Sequence, residues 1–174
     1  HEAVMIEEQA RIGDTTFGFI PGALNGPAFF HGTATHEQLL KWMPGIASGD
    51  QMLCVCITEP DAGTDVKAMR ATARRDGDHY VLNGNKIFIT LGQQADLALV
   101  AARTGDADSG ARGISLFMIE TAKTPGFRVS RVLDKIGQNA LNTAEIFLED
   151  ARVPAANLVG GVEGKGFFQL MDVF

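Results

Sequence analysis

The strongest constraint on this chain lies in its middle, where short alternating runs are separated by pairs of turn residues. Ala68 to Arg74 alternates small or apolar residues with polar ones, Asp76-Gly77 supplies a hairpin turn, and Tyr80-Val-Leu82 follows. Asn83-Gly84 reads as a second turn of the same kind, leading into Lys86-Ile-Phe-Ile-Thr90. A period of two fits strands and not helices. Leu97–Ala102, Gly113–Ile119, Phe127–Val132 and Thr143–Leu148 add further strands, with a polar loop from Thr104 to Arg112. Strands joined by hairpins pair antiparallel, so a mostly antiparallel barrel or sandwich is expected.

Helical patterns flank this region. Residues 2–11 read as a helix, and Pro27-Ala-Phe-Phe30 can open a second one. Thr35 is an N-cap with Gln38 at the capping-box position. Leu39, Leu40 and Met43 then line one face, and Pro44 is expected to end that helix by removing an N–H. From Gly164 the helical pattern returns, with Phe167, Phe168, Leu170 and Met171 at helical spacing. The fold class is therefore α+β: helices, a β domain, then the start of a helix. Expected boundaries are 1–52, 53–160 and 161–174. The chain starts at His1 and stops at Phe174 in mid-pattern, so an excised piece of a longer protein is expected. The two terminal helices are expected to seek partners by self-association.

The chain has 15 basic and 21 acidic residues, a formal charge of -6, which argues against a broad nucleic-acid surface. A few directed amides can still hold a polyanionic cofactor. Cys54 and Cys56 share one face of a strand, and nothing suggests a disulfide. His1, His31, His36 and His79 show no metal-ligand spacing, so no metal site is expected. No apolar run is long enough to span a bilayer.

The stretch most open to a ligand is Leu53-Cys-Val-Cys-Ile-Thr-Glu-Pro-Asp-Ala-Gly-Thr-Asp65. It begins as an apolar strand and ends in a turn of small and oxygen-bearing residues. Such a turn clusters backbone N–H groups, Thr58 and Thr64 add hydroxyls, and Ala62-Gly63 lets a ligand approach the backbone. It is either a plain β-turn or a cradle for the phosphate and sugar of a cofactor. Glu59 and Asp65 flank it and read as turn-stabilising rather than as an acid–base pair. In Lys86-Ile-Phe-Ile-Thr-Leu-Gly92, alternation puts Lys86, Phe88 and Thr90 on one face, either as core or as a platform for a planar ring. Arg70, Arg74 and Arg75 read as a solvated strand face. Gly160-Gly-Val-Glu-Gly-Lys-Gly166 fails the phosphate-loop and dinucleotide spacings and reads as a flexible lead into a helix.

Taken together, Cys56-Ile-Thr-Glu-Pro-Asp-Ala-Gly-Thr-Asp65 and Asn83-Gly-Asn-Lys-Ile-Phe-Ile-Thr90 resemble the flavin-binding middle β-barrel domain of the acyl-CoA dehydrogenases. His31-Gly-Thr33 and Trp42-Met-Pro-Gly-Ile-Ala-Ser-Gly49 are similar to the end of that family's N-terminal helical domain. Asp134-Lys-Ile-Gly137, Asp150-Ala-Arg-Val-Pro154 and Gly164-Lys-Gly-Phe167 are similar to its exit into the C-terminal helices. The resemblance implies that Val55, Ile57, Thr58, Gly63 and Thr64 lie along FAD, with Gly63 and Thr64 at its pyrophosphate. It implies that Phe88 packs on the flavin face, Ile89 contributes backbone contacts, and Thr90 donates a hydrogen bond toward the hydride-accepting nitrogen. Thr64 would also touch the substrate's pantetheine arm.

The implied activity is α,β-dehydrogenation of an acyl-CoA to a trans-2-enoyl-CoA. An electron-transfer acceptor protein, a homo-oligomer, and a cytoplasmic location (the mitochondrial matrix if eukaryotic) come with it. Three positions depart from the family: Phe88 where tryptophan is frequent, Thr64 where serine is common, and Leu91 where asparagine is usual. The family's catalytic glutamate lies beyond Phe174, so no catalytic residue is expected here and the fragment is expected to be inactive alone. An acyl-CoA oxidase or flavin monooxygenase on the same scaffold, or a non-catalytic β-barrel interaction module, are the competing readings.

Overall fold

A computed structural model describes residues 2–13, 32–137 and 139–172. The short helix expected at Pro27–Phe30 lies outside the described residues. Helix α1 is Glu2–Ile12 and α2 is His36–Ser48. Strands follow as β1 (Leu53–Cys56), β2 (Thr72–Asp76), β3 (His79–Thr90), β4 (Leu97–Arg103), β5 (Ile114–Glu120), β6 (Phe127–Val132) and β7 (Thr143–Pro154), and α3 is Gly166–Met171.

Helix α2 opens on the expected capping box. The Gln38 amide donates to Thr35 Oγ1 at 3.3 Å, and the Thr35 amide donates to Gln38 Oε1 at 3.0 Å. The expected stop at Pro44 is wrong, because the helix runs through it to Ser48. Pro44 lies on the exposed face, where water can take the carbonyl it leaves free. The end comes instead at Gly49, whose left-handed conformation closes the last turn.

The sheet is mostly antiparallel, as expected, with two parallel pairings. β2–β3, β3–β7, β4–β5 and β6–β7 are antiparallel, while β1 and β2 each run parallel to β4. β5 covers one edge of β4 from Leu97 to Arg103. The other edge is shared, with β1 along Leu97–Val100 and β2 meeting it only at Arg103. The residues between β1 and β2 therefore leave the sheet at a seam in the same plane.

Strand β4 is buried on both faces. Its Ala98, Val100 and Ala102 pack inward with Tyr80, Leu82, Phe117 and Ile146. Its Leu97, Leu99 and Ala101 pack outward with Trp42 and Ile46 of α2 and Leu170 of α3. Two cores thus share one strand, and the curled sheet sits between the helices and its own interior.

The hairpin at Asp76-Gly77 forms as expected, since β2 ends at Asp76 and β3 starts at His79. Asn83-Gly84 is not a turn. β3 passes straight through it, and the irregularity is an extra residue on β7, Asp150, at φ 50. Asn83 holds this bulge from across the strand: its Oδ1 accepts from the Asp150 amide at 2.9 Å, and its Nδ2 donates to Asp150 Oδ1 at 3.0 Å. β2 also begins later than expected, because Val66–Ala68 forms a short 3-10 turn first.

On the outer face near the open edge, ion pairs join Arg128 to Glu149 and Arg131 to Glu145 between β6 and β7. The Tyr80 hydroxyl donates to Glu163, tying β3 to the segment before α3.

Gly84 has a φ of 155, and a Cβ there would lie 2.5 Å from Ala71 Cβ and 2.8 Å from Ala71 Cα. Gly84→Ala is expected to destabilise by about 1–3 kcal/mol, read from the urea midpoint at unchanged slope. Burial, followed by the Glu163 contact, pushes Tyr80 up to about 12. The ordinary phenol ionises near ~10, so only the unfolded chain loses its proton between those values. The stability that Tyr80 contributes is therefore fully present below pH ~10 and is lost as pH rises toward ~12. In urea titrations over this window, Tyr80→Phe is expected to show a shallower loss than the parent.

Candidate functional site

The chain leaves β1 at Cys56 and builds a closed turn. The Glu59 amide donates to the Ala62 carbonyl at 2.9 Å, and the Ala62 amide to the Glu59 carbonyl at 3.2 Å. Pro60 and Asp61 occupy the corner, where proline's fixed φ suits the turn. Beyond it Gly63, Thr64 and Asp65 are exposed, and no atom stands within 4 Å of where a Gly63 Cβ would be. Among the described residues no backbone carbonyl accepts from the Gly63 or Thr64 amide. Asp65 caps the following short turn through the Lys67 amide, which is the stabilising role expected of it.

Glu59 does more than stabilise the turn. It is 5% exposed, its Oε2 accepts from the Arg70 amide at 2.7 Å, and its Oε1 accepts from the Ala71 amide at 2.9 Å. Oε1 also takes the Lys86 ammonium at 2.8 Å, and Lys86 Nζ donates to the Ile57 carbonyl at 3.0 Å. Lys86 is fully buried; burial pulls its pKa down, opposed by the Glu59 charge.

Lys86 was expected on the same face as Phe88 and Thr90, and it is not. Between Lys86 and Ile89, β3 carries one residue more than β7, and Phe88 takes a φ of 61. The bulge resets the alternation. Lys86 and Ile89 point inward at 0% and 2% exposure, while Phe88 is 64% exposed and Thr90 is exposed. Leu91 follows at φ 62. Two bulky residues in the left-handed region within four positions mark a strained segment, of the kind that persists where its surroundings force it. Leu91 is also the position where the resembling family usually has asparagine, a residue that tolerates this conformation better.

These bonds bring part of the expected site together. The Ile87 amide donates to the Thr58 carbonyl at 2.9 Å, so Ile57 and Thr58 lie beside the strand that carries Phe88, Ile89 and Thr90. Val55 and Ile57 are half-buried against the helix-facing core. No hydrogen bond joins Gly63 or Thr64 to Phe88–Thr90; those two residues lie farther along the exposed turn.

Past Leu91, a cavity of about 540 Å³ is lined by Gln93, Gln94, Val132, Lys135, Leu141 and Asn142, among others. Asn142 Oδ1 accepts from the Gln93 amide at 3.0 Å, while its buried Nδ2 has no protein acceptor.

The remaining candidates do not join this site. Arg70, Arg74 and Arg75 are exposed, and Arg70 pairs with Asp61 at 3.0 Å. Cys54 and Cys56 are buried with sulfurs 3.8 Å apart. The Cys56 contact and burial push the Cys54 thiol well up, which keeps it protonated and unreactive. Among the described residues no cluster of three or more His, Cys, Asp or Glu could hold a metal ion. Sequence reasoning missed the Glu59–Lys86 pair. The available signal was a lysine in an otherwise apolar run, which demands a buried counter-charge once its neighbours are known to be core.

Comparison with known proteins bears on this geometry. The family model for the acyl-CoA dehydrogenase middle domain matches residues 54–151, more than half of the chain. A mitochondrial long-chain specific acyl-CoA dehydrogenase of Mus musculus is 42% identical over 171 residues, covering 98% of this chain and 39% of its own length. The chain thus spans about two-fifths of the length of that curated relative. A solved glutaryl-coenzyme A dehydrogenase–glutaryl-CoA complex superposes with a TM-score of 0.81 at 37% identity, covering 87% of this chain and 38% of that one. A structure of PigA with FAD and proline gives a TM-score of 0.81 at 33% identity, covering 87% and 39%. With a curled sheet, a turn opening at its seam and a family model matched across both, this chain belongs to the acyl-CoA dehydrogenase family.

Proposed function

We propose that this chain forms the flavin-facing part of an FAD-dependent acyl-CoA dehydrogenase, which converts an acyl-CoA thioester to a trans-2-enoyl-CoA. The observation that carries the reading is Phe88: an aromatic ring 64% exposed on a backbone at φ 61, next to an exposed Thr90. Neither burial nor relaxed backbone geometry explains such a residue, whereas a planar ligand stacked on it does. The donor set fits a flavin dinucleotide as well. Gly63 and Thr64 offer amides for a pyrophosphate, Thr58 and Thr64 offer hydroxyls, and Val55 and Ile57 offer an apolar flank.

FAD, when bound, supplies the hydride acceptor. Phe88 would wall one face of its ring, the Ile89 backbone would contact it, and the Thr90 hydroxyl would donate to its nitrogen edge. Thr64 would also face the pantetheine arm of the substrate. In this reading residues 1–52, 53–160 and 161–174 are the end of a helical domain, the β domain and the start of a second helical domain. The complete protein is a homo-oligomer, passes electrons to an electron-transferring flavoprotein, and works in the cytoplasm or, in a eukaryote, in the mitochondrial matrix. Among the described residues no helix is long and apolar enough to cross a membrane.

A second reading has support in the PigA structure, in which FAD and proline are held on a similar scaffold. An oxidase or monooxygenase of this kind would share the flavin wall and differ in substrate.

Full-length protein is expected to purify with visible flavin absorption and to form enoyl-CoA with an artificial electron acceptor. Flavin without this product favours the second reading, and a folded, colourless protein favours a non-catalytic module. The 174 residues alone are expected to give no turnover, because each carboxylate at the turn is engaged: Glu59 by Lys86 and two amides, Asp61 by Arg70 and Asp65 by the Lys67 amide. Turnover above background with FAD, acyl-CoA and acceptor overturns that. Phe88→Gly is expected to weaken FAD binding about tenfold or more, yet to change folding stability by no more than about 1 kcal/mol. The lost ring makes little protein contact, and glycine relieves the left-handed strain.

A further inference from the structure

We infer that the buried Glu59–Lys86 pair is a positioning device, fixing the turn after β1 and the Phe88 bulge in one register. This rests on the flavin reading above only for its meaning, not for its geometry.

The pair sits at the seam where β1 has ended and β2 has not begun. Lys86 is the last β3 residue in register with β7 before the bulge, and its ammonium crosses the seam to the Ile57 carbonyl and to Glu59. The Glu59 carboxylate also takes the Arg70 and Ala71 amides, 11 and 12 residues ahead, and so ties the neck of the whole 59–71 excursion. One ion pair therefore holds both ends of the turn and the strand that carries Phe88.

Its chemistry suits placement better than stability. Desolvating two charges consumes most of their attraction, and an apolar pair of equal volume commonly folds as well or better. An apolar pair could not serve here, because the Arg70 and Ala71 amides would lose their acceptor inside the protein. Directed bonds also fix angle as well as distance. A residue held at φ 61 needs such surroundings: Ile89–Ala144 pairing fixes one side of the bulge, and Lys86 fixes the other.

The test compares full-length protein with Lys86→Met, which keeps volume and removes the charge, and with Glu59→Gln. Amide hydrogen exchange is read without flavin. In Lys86→Met the amides of Ala62, Arg70 and Ala71 and those of Ile87 and Leu91 are expected to exchange at least tenfold faster together. None of them bonds the Lys86 side chain, and β4 and β5 should keep their protection. With FAD bound, the visible circular dichroism per flavin is expected to change in both variants, a signature that mere destabilisation leaves unaltered. If Glu59→Gln does not fold, Lys86→Met decides alone. Equal acceleration through β4 and β5, or loosening of one segment without the other, overturns the assignment. A wild-type protein that takes up no flavin sinks the proposed function, while the exchange result still decides the clamp.

Discussion

Along one edge of β4 two strands must share the hydrogen-bonding groups, and neither runs its full length. β1 takes Leu97–Val100, and β2 arrives only at Arg103. Everything between, residues 57–71, is pushed out of the sheet and must find other partners for its backbone. It finds some in its own turns and in the Ile87 and Arg103 amides, and the rest in side chains. The Glu59 carboxylate, the Lys86 ammonium and the Arg103 guanidinium, which donates to the Lys67 and Met69 carbonyls, replace the missing ladder. Three charged groups, Glu59, Lys86 and Arg103, sit inside the protein because the sheet is split there.

The same split relocates strain. β3 is paired with strands on both edges as far as Asn83, and beyond it with β7 alone apart from the single Ile87–Thr58 backbone bond. Released from β2, it can accept an extra residue, and the bulge at Phe88 follows. The outcome is an aromatic ring directed to solvent from a strand whose neighbours, Lys86 and Ile89, are sealed. A relaxed strand would have put Lys86 and Phe88 on the same side. The polar clamp and the exposed ring are therefore two products of one topological feature.

Much of this architecture can be read from the residues. The capping box at Thr35 and Gln38, the hairpin at Asp76-Gly77 and the strands from Leu97 onward each rest on local chemistry that the tertiary structure leaves alone. What escapes is what depends on a distant partner. Asn83-Gly84 has the composition of a turn, but its glycine is needed for close contact with Ala71 and its asparagine for the Asp150 bulge. Pro44 breaks helices on average, yet an exposed position tolerates it. The period-two rule placed Lys86 with Phe88 because a bulge leaves no mark in the pattern. Val55, Ile57, Thr58, Phe88, Ile89 and Thr90 come from motif resemblance; the Ile87–Thr58 hydrogen bond sets their two segments side by side, while Gly63 and Thr64 stand farther along the turn without a hydrogen bond to the second segment.

The outer face of β6 and β7 carries a consequence of a different kind. β6 ends the sheet, and among the described residues no strand lies beyond it. A terminal strand that alternates Phe127, Val129 and polar residues is a template for another chain. Arg128 and Arg131, held toward Glu149 and Glu145, crowd that rim with charge. Exposed pairs of this kind fade as ions screen them. Concentrated salt therefore removes the guard from this rim, and colloidal behaviour in high-salt buffers will be governed by β6 rather than by the thermodynamic strength of the core.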